Sequence, residues 1–302
     1  MLHQPSKVKR VIVTGGRGFI GGHVVSHLRK VGYDVYAPSH GTMDCLDQGS
    51  IDRVFDIREV GGDTCVIHAA VAPGGNRVDK PSLSTLTNNL RMYQNVQQAA
   101  ETYGATFINF CSGAAFNREL NTIEIRHRET DILFREPKDF YGLAKNLIAR
   151  DMLTKKNVLN LRLFGCFGFG EPGYRFISTI LNQTGSAEPL DVPEKYMSFF
   201  YVKDVARVVE DMIPWIRTGL RPADINLCYR EVQSLRSIAK QIHQLTGQEG
   251  EPVFLSKVAT TESYVGDAYR LQQFAIPLVG FEAGLREMIT EMESKTGKRL
   301  VK

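Results

Sequence analysis

No apolar run approaches the ~20 residues that cross a bilayer, so nothing reads as a membrane span. CxxC pairs are missing too. The five cysteines, Cys45, Cys65, Cys111, Cys166 and Cys228, are odd in number and far apart. That argues against a disulfide framework and for reduced thiols used as small core residues, hence a cytoplasmic setting. The seven histidines show no HxH or HExxH spacing, so no metal site is expected. Charge of one sign is scarce: 37 basic against 33 acidic residues leave a net charge of +4, too weak over 302 residues to suggest a nucleic-acid partner. There is no low-complexity tract and no internal repeat. The polar, basic stretch Met1 to Arg10 carries no signal-peptide pattern.

What is present is globular: 43% hydrophobic and 23% charged residues, enough for one large domain or two coupled ones. Short β-rich runs alternate with helical patterns. Strands are expected at Val8–Thr14, Asp34–Ala37, Thr64–His68, Ala105–Cys111 and Val158–Phe164. Helices are expected at Phe19–Arg29, Ser50–Phe55, Leu83–Tyr103 and Tyr141–Leu153. The order implies an α/β fold, a doubly wound parallel sheet, and the near-continuously apolar runs suit strands buried on both faces. Further on, the pattern gives a helix at Arg175–Asn182, a strand at Phe199–Val202 and a helix at Lys203–Trp215. A strand at Ile225–Cys228 and helices at Ser234–Leu245 and Phe281–Met292 follow. Residues 1–168, continued by about 198–230, are then expected as one doubly wound unit, and 169–197 with 231–302 as a smaller substrate-binding cap. A charged stretch, Glu124 to Lys138, reads as a solvated face or an active-site loop.

Thr14-Gly15-Gly16-Arg17-Gly18-Phe19-Ile20-Gly21 lies between the first strand and the first helix. Gly15 permits a tight turn, Gly18 lets backbone amides approach a pyrophosphate, and Gly21 lets the helix pack closely on the sheet. The helix N-terminus adds partial positive charge. Dinucleotide binding follows from this context. The second strand ends in Pro38-Ser39-His40 with no acid for ribose hydroxyls. With Arg17 in the loop and Ser39 and His40 facing a possible 2′-phosphate, NADP is favoured over NAD.

Tyr141 and Lys145 stand four apart, on one face of a helix. An ammonium near a phenol favours the phenolate, so Tyr141 suits proton transfer to a carbonyl or from an alcohol. Ser112, ending the fourth strand, is placed to hydrogen-bond the same substrate oxygen.

Together these segments resemble the extended short-chain dehydrogenases/reductases, which include nucleotide-sugar epimerases, dehydratases and reductases. The resemblance runs through Thr14–Val24, VIHAAV (Val66–Val71), Asn89 and Asn95, Phe110–Phe116, YGLAK, Leu161–Gly168, Ser198–Ala206 and Asn226–Cys228. It implies a Ser112, Tyr141, Lys145 triad, with Lys145 also on the nicotinamide ribose and the Ala69-Ala70 turn along the cofactor. Within the family the chain is most similar to GDP-L-fucose synthase-like 4-keto-6-deoxyhexose reductases. Arg17 matches that group's glycine-loop Arg, and Met43–Asp47 resembles its segment past the adenine, which brings Asp47 to the cofactor. The group's epimerising Cys falls on Ala114, and its cap His has no counterpart. The loop after Gly168 offers Tyr174 and Arg175 instead. Ala114, Phe164, Tyr174 and Arg175 are therefore expected at the substrate. Gly165 replaces the usual Asn and Met197 a common Arg, with Lys195 nearby, leaving the nucleotide open.

The resemblance implies an NADP-dependent reductase of a nucleotide-linked 4-keto-6-deoxy sugar that does not epimerise. Alternatives are a nucleotide-sugar 4-epimerase with tightly held NAD, or a non-catalytic NADP sensor or scaffold. Gly113 and Ala114, where a dehydratase carries Asp-Glu, speak against dehydration. Family members often pair through helices like those near 90–103 and 141–153, so a homodimer is expected.

Overall fold

The computed structural model describes residues 8–72, 81–117, 126–134, 136–185, 189–219, 222–249, 252–255, 259–297 and 300–301, with the backbone alone for 259–262. The main sheet is built from β1 (Arg10–Thr14), β2 (Asp34–Tyr36), β3 (Thr64–His68), β4 (Thr106–Ser112), β5 (Val158–Leu163) and β9 (Asp224–Leu227). These six strands are all parallel and run in the order β2-β1-β3-β4-β5-β9. Helices α1 (Phe19–Lys30), α2 (Gln48–Ile57), α3 (Leu83–Thr102), α4 (Phe140–Met152) and α6 (Val202–Met212) connect them.

Alternating side chains send the two faces of each strand to different helices. Val11, Val13, Ile67, Ile108 and Leu161 pack with Val24 and Leu28 of α1 and Val205 and Val209 of α6. Ile12, Val66, Phe107 and Val158 pack with Phe55 of α2, Val96 of α3 and Ile148 of α4.

Beyond the main sheet, β6 (Gly165–Phe167) pairs in parallel with β8 (Phe199–Tyr201). A three-stranded sheet centres on β7 (Glu194–Met197), between β10 (Gln233–Ser234, antiparallel) and β11 (Ala259–Tyr264, parallel). Helices α5 (Phe176–Asn182), α7 (Leu235–Leu245), α8 (Tyr269–Gln272) and α9 (Phe281–Thr296) complete this part.

The structure departs from the sequence expectation in four places. Strands β6, β7, β10 and β11 fall outside the expected set: they are short, and Glu194–Met197 and Ala259–Tyr264 lack apolar alternation. The helix expected at 203–215 ends at Met212 and continues as a 3₁₀ turn, Ile213–Thr218, with Pro214 at its start, where the missing N–H is tolerated. In the charged stretch 124–138, residues 124, 125 and 135 lie outside the described residues, and the rest is not simply a solvated face. His127 is buried and stacks on Phe116 (4.5 Å, 5°), while Glu129 is buried and accepts from Asn226 N (2.8 Å).

The fourth departure concerns the strands themselves, which are not continuously apolar. Thr14, His68, Asn109, Asn160 and Asp224 are direct neighbours across β1, β3, β4, β5 and β9, one polar row through the sheet. Asn109 Nδ2 donates to Asn160 Oδ1 (2.8 Å) and Asn160 Nδ2 to Asp224 Oδ1 (2.9 Å). Arg162, fully buried, adds bonds to Asp224 Oδ2 (2.8 Å) and Asn226 Oδ1 (2.9 Å). Buried charge needs such partners, and here each carboxylate oxygen has one.

All five cysteines are buried and free. Burial pushes the thiols of Cys45, Cys65, Cys166 and Cys228 up, as for inert core residues. Among the described residues no helix is long and apolar enough to cross a membrane.

Candidate active site

The glycine loop leaves β1 at its carboxyl end. Gly15 has φ +67°, and a Cβ there would lie 2.6 Å from Ala70 N, so only glycine fits between the loop and the Ala69-Ala70 turn. That turn is tied to β1 by Ala69 N to Thr14 O (3.1 Å) and Ala70 N to Thr14 Oγ1 (3.3 Å). Gly18 N donates to Gly15 O (2.9 Å), and Gly18 caps α1 without a side-chain bond. A Cβ on Gly21 would sit 2.3 Å from Gly15 O, so this glycine seats the helix on the loop rather than on the sheet. The first i→i−4 bond is Gly22 N to Gly18 O (2.8 Å), so the amides of Phe19, Ile20 and Gly21 precede the helical ladder. No acidic residue stands in this first turn. Open amides, helix dipole and a side-chain-free cradle fit a dinucleotide pyrophosphate.

Around the loop, Arg17 and His40 are exposed, and His40 Nδ1 lies 3.8 Å from Asp44 Oδ1. Ser39 Oγ bonds Thr42 Oγ1 (2.8 Å). Asp47 caps α2 through Gly49 N (3.0 Å), a local helix-ending task. Asn89 Oδ1 accepts from Ala72 N (3.1 Å) just past the Ala69-Ala70 turn, and Asn95 Nδ2 donates to Cys45 O (3.0 Å).

The chemistry-bearing pair lies on α4. Asp139 caps this helix by accepting from Gly142 N (2.8 Å). A Cβ on Gly142 would fall 2.5 Å from Ala114 O, so glycine here lets the first turn of α4 press on the Gly113–Ala115 turn that follows Ser112. Asn146 Nδ2 reinforces this contact through Ala115 O (2.8 Å). Tyr141 is half-buried. The Lys145 ammonium, 5% exposed, is held by Phe110 O at 2.9 Å and lies 6.0 Å from the Tyr141 ring centre. Phe110 is two residues before Ser112, so α4 brings Tyr141 and Lys145 to the end of β4. Ser112 Oγ accepts from Ala114 N (3.2 Å).

One residue that the sequence reading missed also arrives here. Tyr264, ending β11, brings its hydroxyl to 3.5 Å from Ser112 Oγ. No local pattern marks it, because the contact spans 152 residues of chain.

The expected substrate residues divide. Ala114 and Phe164 are buried, Phe164 edge-on to Tyr264 (5.2 Å, 64°). Tyr174 is exposed, and Arg175 donates to Cys166 O (3.4 Å) as it opens α5. Burial pushes the nearby Glu171 carboxyl up to about 7, against the lowering effect of Ser178 N at 2.9 Å. A cavity of about 580 Å³, lined by Met197, Phe199, Tyr229, Arg230, Gln241 and Arg286, opens beside β7. Met197 is the direct neighbour of Tyr264 across β7 and β11. The buried Asp204 fixes the cavity wall by accepting from Tyr229 Oη (2.5 Å), Val279 N (2.7 Å) and Gly280 N (2.9 Å).

The family model described as NAD dependent epimerase/dehydratase family matches residues 11–228. Spore coat polysaccharide biosynthesis protein SpsK of Bacillus subtilis is 27% identical over 203 residues, covering 66% of this chain and 68% of that protein. GDP-L-fucose synthase of Azorhizobium caulinodans is 27% identical over 175 residues, 55% of this chain and 54% of its own, so the chain spans about half of that relative. Among solved structures, a GDP-L-fucose synthetase from Naegleria fowleri is similar with TM-score 0.79 at 17% identity, over 99% of both chains. Its NADP-bound structure gives 0.74 at 17% identity over 98% of both. UDP-glucose 4-epimerase of Thermus thermophilus, in complex with NAD, gives 0.73 at 19% identity over 94% and 99%. These likenesses are of fold, whereas the family match runs from β1 through β9 and takes in the glycine loop, Ser112, Tyr141 and Lys145. The chain belongs to the NAD dependent epimerase/dehydratase family and is an NAD(P)-dependent enzyme.

Proposed function

We propose that the chain reduces a nucleotide-linked 4-keto-6-deoxy sugar at its carbonyl carbon with NADPH, without epimerising it. The observation that carries this is Lys145: its ammonium is pinned by Phe110 O, two residues before Ser112 on β4, and lies 6.0 Å from the Tyr141 ring centre. When bound, the dinucleotide supplies the hydride. Tyr141 gives its hydroxyl proton to the sugar carbonyl oxygen, and the Lys145 charge stabilises the negative charge left on the ring oxygen. Ser112 donates a hydrogen bond to the same oxygen as charge develops on it. Gly15, Arg17, Gly18, Phe19, Ile20, Gly21, Ala69 and Ala70 hold the dinucleotide, with Ser39 and His40 near the adenosine ribose. The exposed Arg17 and the lack of an acid at residues 37–40, directly after β2, favour the 2′-phosphate of NADP.

Ala114 carries no acid–base group, which supports reduction without epimerisation. The cavity beside Met197 carries Glu231 and Glu282 as well as Arg230 and Arg286. Arg286 pairs with Glu282 at 2.9 Å, so Arg230 is the cation left among its described lining residues for the anionic nucleotide end. Tyr174 and Arg175 lie on the loop after β6. Leu147 and Leu153, exposed on and just after α4, support pairing of two copies there.

The test is NADPH oxidation against GDP- and dTDP-linked 4-keto-6-deoxyhexoses, with the product configuration read by NMR. Stoichiometric oxidation with one new carbinol centre is expected. A purified protein that retains NAD and interconverts C4 epimers with no net cofactor use would establish the 4-epimerase instead. Biological activity that survives Tyr141→Phe would establish the scaffold.

A further inference from the structure

We propose that Tyr264 is a further substrate-contacting donor, its hydroxyl and that of Ser112 gripping one sugar oxygen between them. This rests on the reductase reading above. The O···O separation of 3.5 Å exceeds the ~2.7–2.8 Å of a good O–H···O bond. Two hydroxyls at that spacing form a fork: a third oxygen can sit about 2.8 Å from both. Both residues are half-buried, so the fork is neither sealed in the core nor loose in solvent.

Among the described residues, several contacts fix the position of the phenol. The carbonyl of Tyr264 accepts from Ser198 N (3.0 Å), and its Cα partners Met197. The next residues are bolted to a different segment, with His127 N to Val265 O and Asp267 N to His127 O, both 2.9 Å. Gly266 N adds a bond to Ser198 Oγ (3.2 Å). The Tyr264 ring meets Phe164 edge-on, and Phe164 is clamped between Gly113 and Gly266, where added Cβ atoms would lie 2.4 and 2.3 Å from it. Donors whose rotamers are locked by packing stabilise developing charge most, because they need no reorganisation as the reaction proceeds. The fork holds the carbonyl oxygen, which gathers negative charge as hydride arrives and takes its proton from Tyr141, so Tyr264 acts on the transition state more than on the ground state.

The experiment uses the full chain loaded with NADPH and assayed with GDP-4-keto-6-deoxymannose and dTDP-4-keto-6-deoxyglucose. Tyr264→Phe removes one oxygen and keeps the ring against Phe164. It should lower kcat about 10- to 100-fold, leave KM within about twofold, and leave NADPH affinity, read by fluorescence titration, unchanged. Combined with Ser112→Ala, the loss should be smaller than the product of the single losses, since both side chains serve one oxygen. A Tyr264→Phe enzyme within twofold of the wild-type kcat, or losses that multiply, would overturn the inference while leaving the reductase reading intact. A wild-type protein that turns over neither sugar overturns both. Should Tyr264→Phe fail to fold, a crystal of NADP-bound Tyr141→Phe with the same sugars decides. One sugar oxygen within hydrogen-bond reach of both hydroxyls supports the fork, and a sugar oxygen on Ser112 alone refutes it.

Discussion

Thr14 and His68 meet across the β1–β3 pair, their Oγ1 and Nδ1 atoms 2.9 Å apart. Because Ala70 N donates to the same Oγ1, the Thr14 proton is available to a neutral imidazole. One short polar chain thereby ties the glycine loop's strand to the turn expected along the cofactor. Burial, with the Lys145 charge adding to it, pushes the His68 imidazole down to about 3.

That depression makes stability depend on pH, and Glu171 opposes it. Between about pH 6.5 and 3 the unfolded chain protonates His68 and the fold does not, so this group costs stability as pH falls. Between about pH 4.5 and 7 the fold keeps the Glu171 proton that the unfolded chain releases, so this group costs stability as pH rises. In the shared window, pH 4.5 to 6.5, the two slopes oppose. Relative to wild type, His68→Gln should lose stability with rising pH, and Glu171→Gln should gain it. Each difference should reach at most about 1.4 kcal/mol per pH unit. Urea unfolding at half-unit pH steps measures it, and parallel curves for all three proteins would refute both assignments.

Tyr141→Phe keeps the ring and removes the transferable proton. Turnover should fall by about 10²- to 10⁴-fold with dinucleotide binding retained. Steady-state kinetics beside a cofactor titration separates the two effects, and a variant with full turnover would displace Tyr141 from the chemistry.

Arg17→Ala should weaken NADPH binding by about tenfold, the size of one charge-assisted contact, and leave NADH binding unchanged. Equal losses for both cofactors would mean that Arg17 acts on the pyrophosphate or on the loop itself, not on a 2′-phosphate.

Arg162→Leu should destabilise the fold by about 3–5 kcal/mol, because Asp224 is then left buried without its cation. Replacing both partners with apolar residues should cost less than the single change, a comparison open to denaturant titration. Equal stability of the single and double variants would show that Asp224 finds another partner.

The local elements were largely legible because local patterns carry them. Thr64–His68 is a short run of mostly apolar residues that begins after the Gly61-Gly62-Asp63 turn, and Leu83–Thr102 follows a helical stripe capped by Ser82. Gly15, Gly18 and Gly21 marked the loop, because Gly15 takes a left-handed conformation and a Cβ on Gly21 would strike Gly15 O. Tyr141 and Lys145 declared themselves through one helical turn of spacing.

Other features have no local signature. The polar row from Thr14 to Asp224 exists only because four parallel registers align residues scattered over 210 positions (14 to 224). His127 and Glu129 lie in a stretch that reads as a solvated face or an active-site loop, and only packing against Phe116 and Asn226 buries them. Tyr264 reaches Ser112 because β11 pairs with β7. Sequence by itself determined the α/β order, the glycine loop and the helix that carries Tyr141 and Lys145, since periodicity and backbone stereochemistry act over a few residues. Tertiary structure alone decided which distant hydroxyl faces Ser112 and how buried charge is neutralised, because hydrogen bonds across a sheet depend on register, and register is a property of the whole fold.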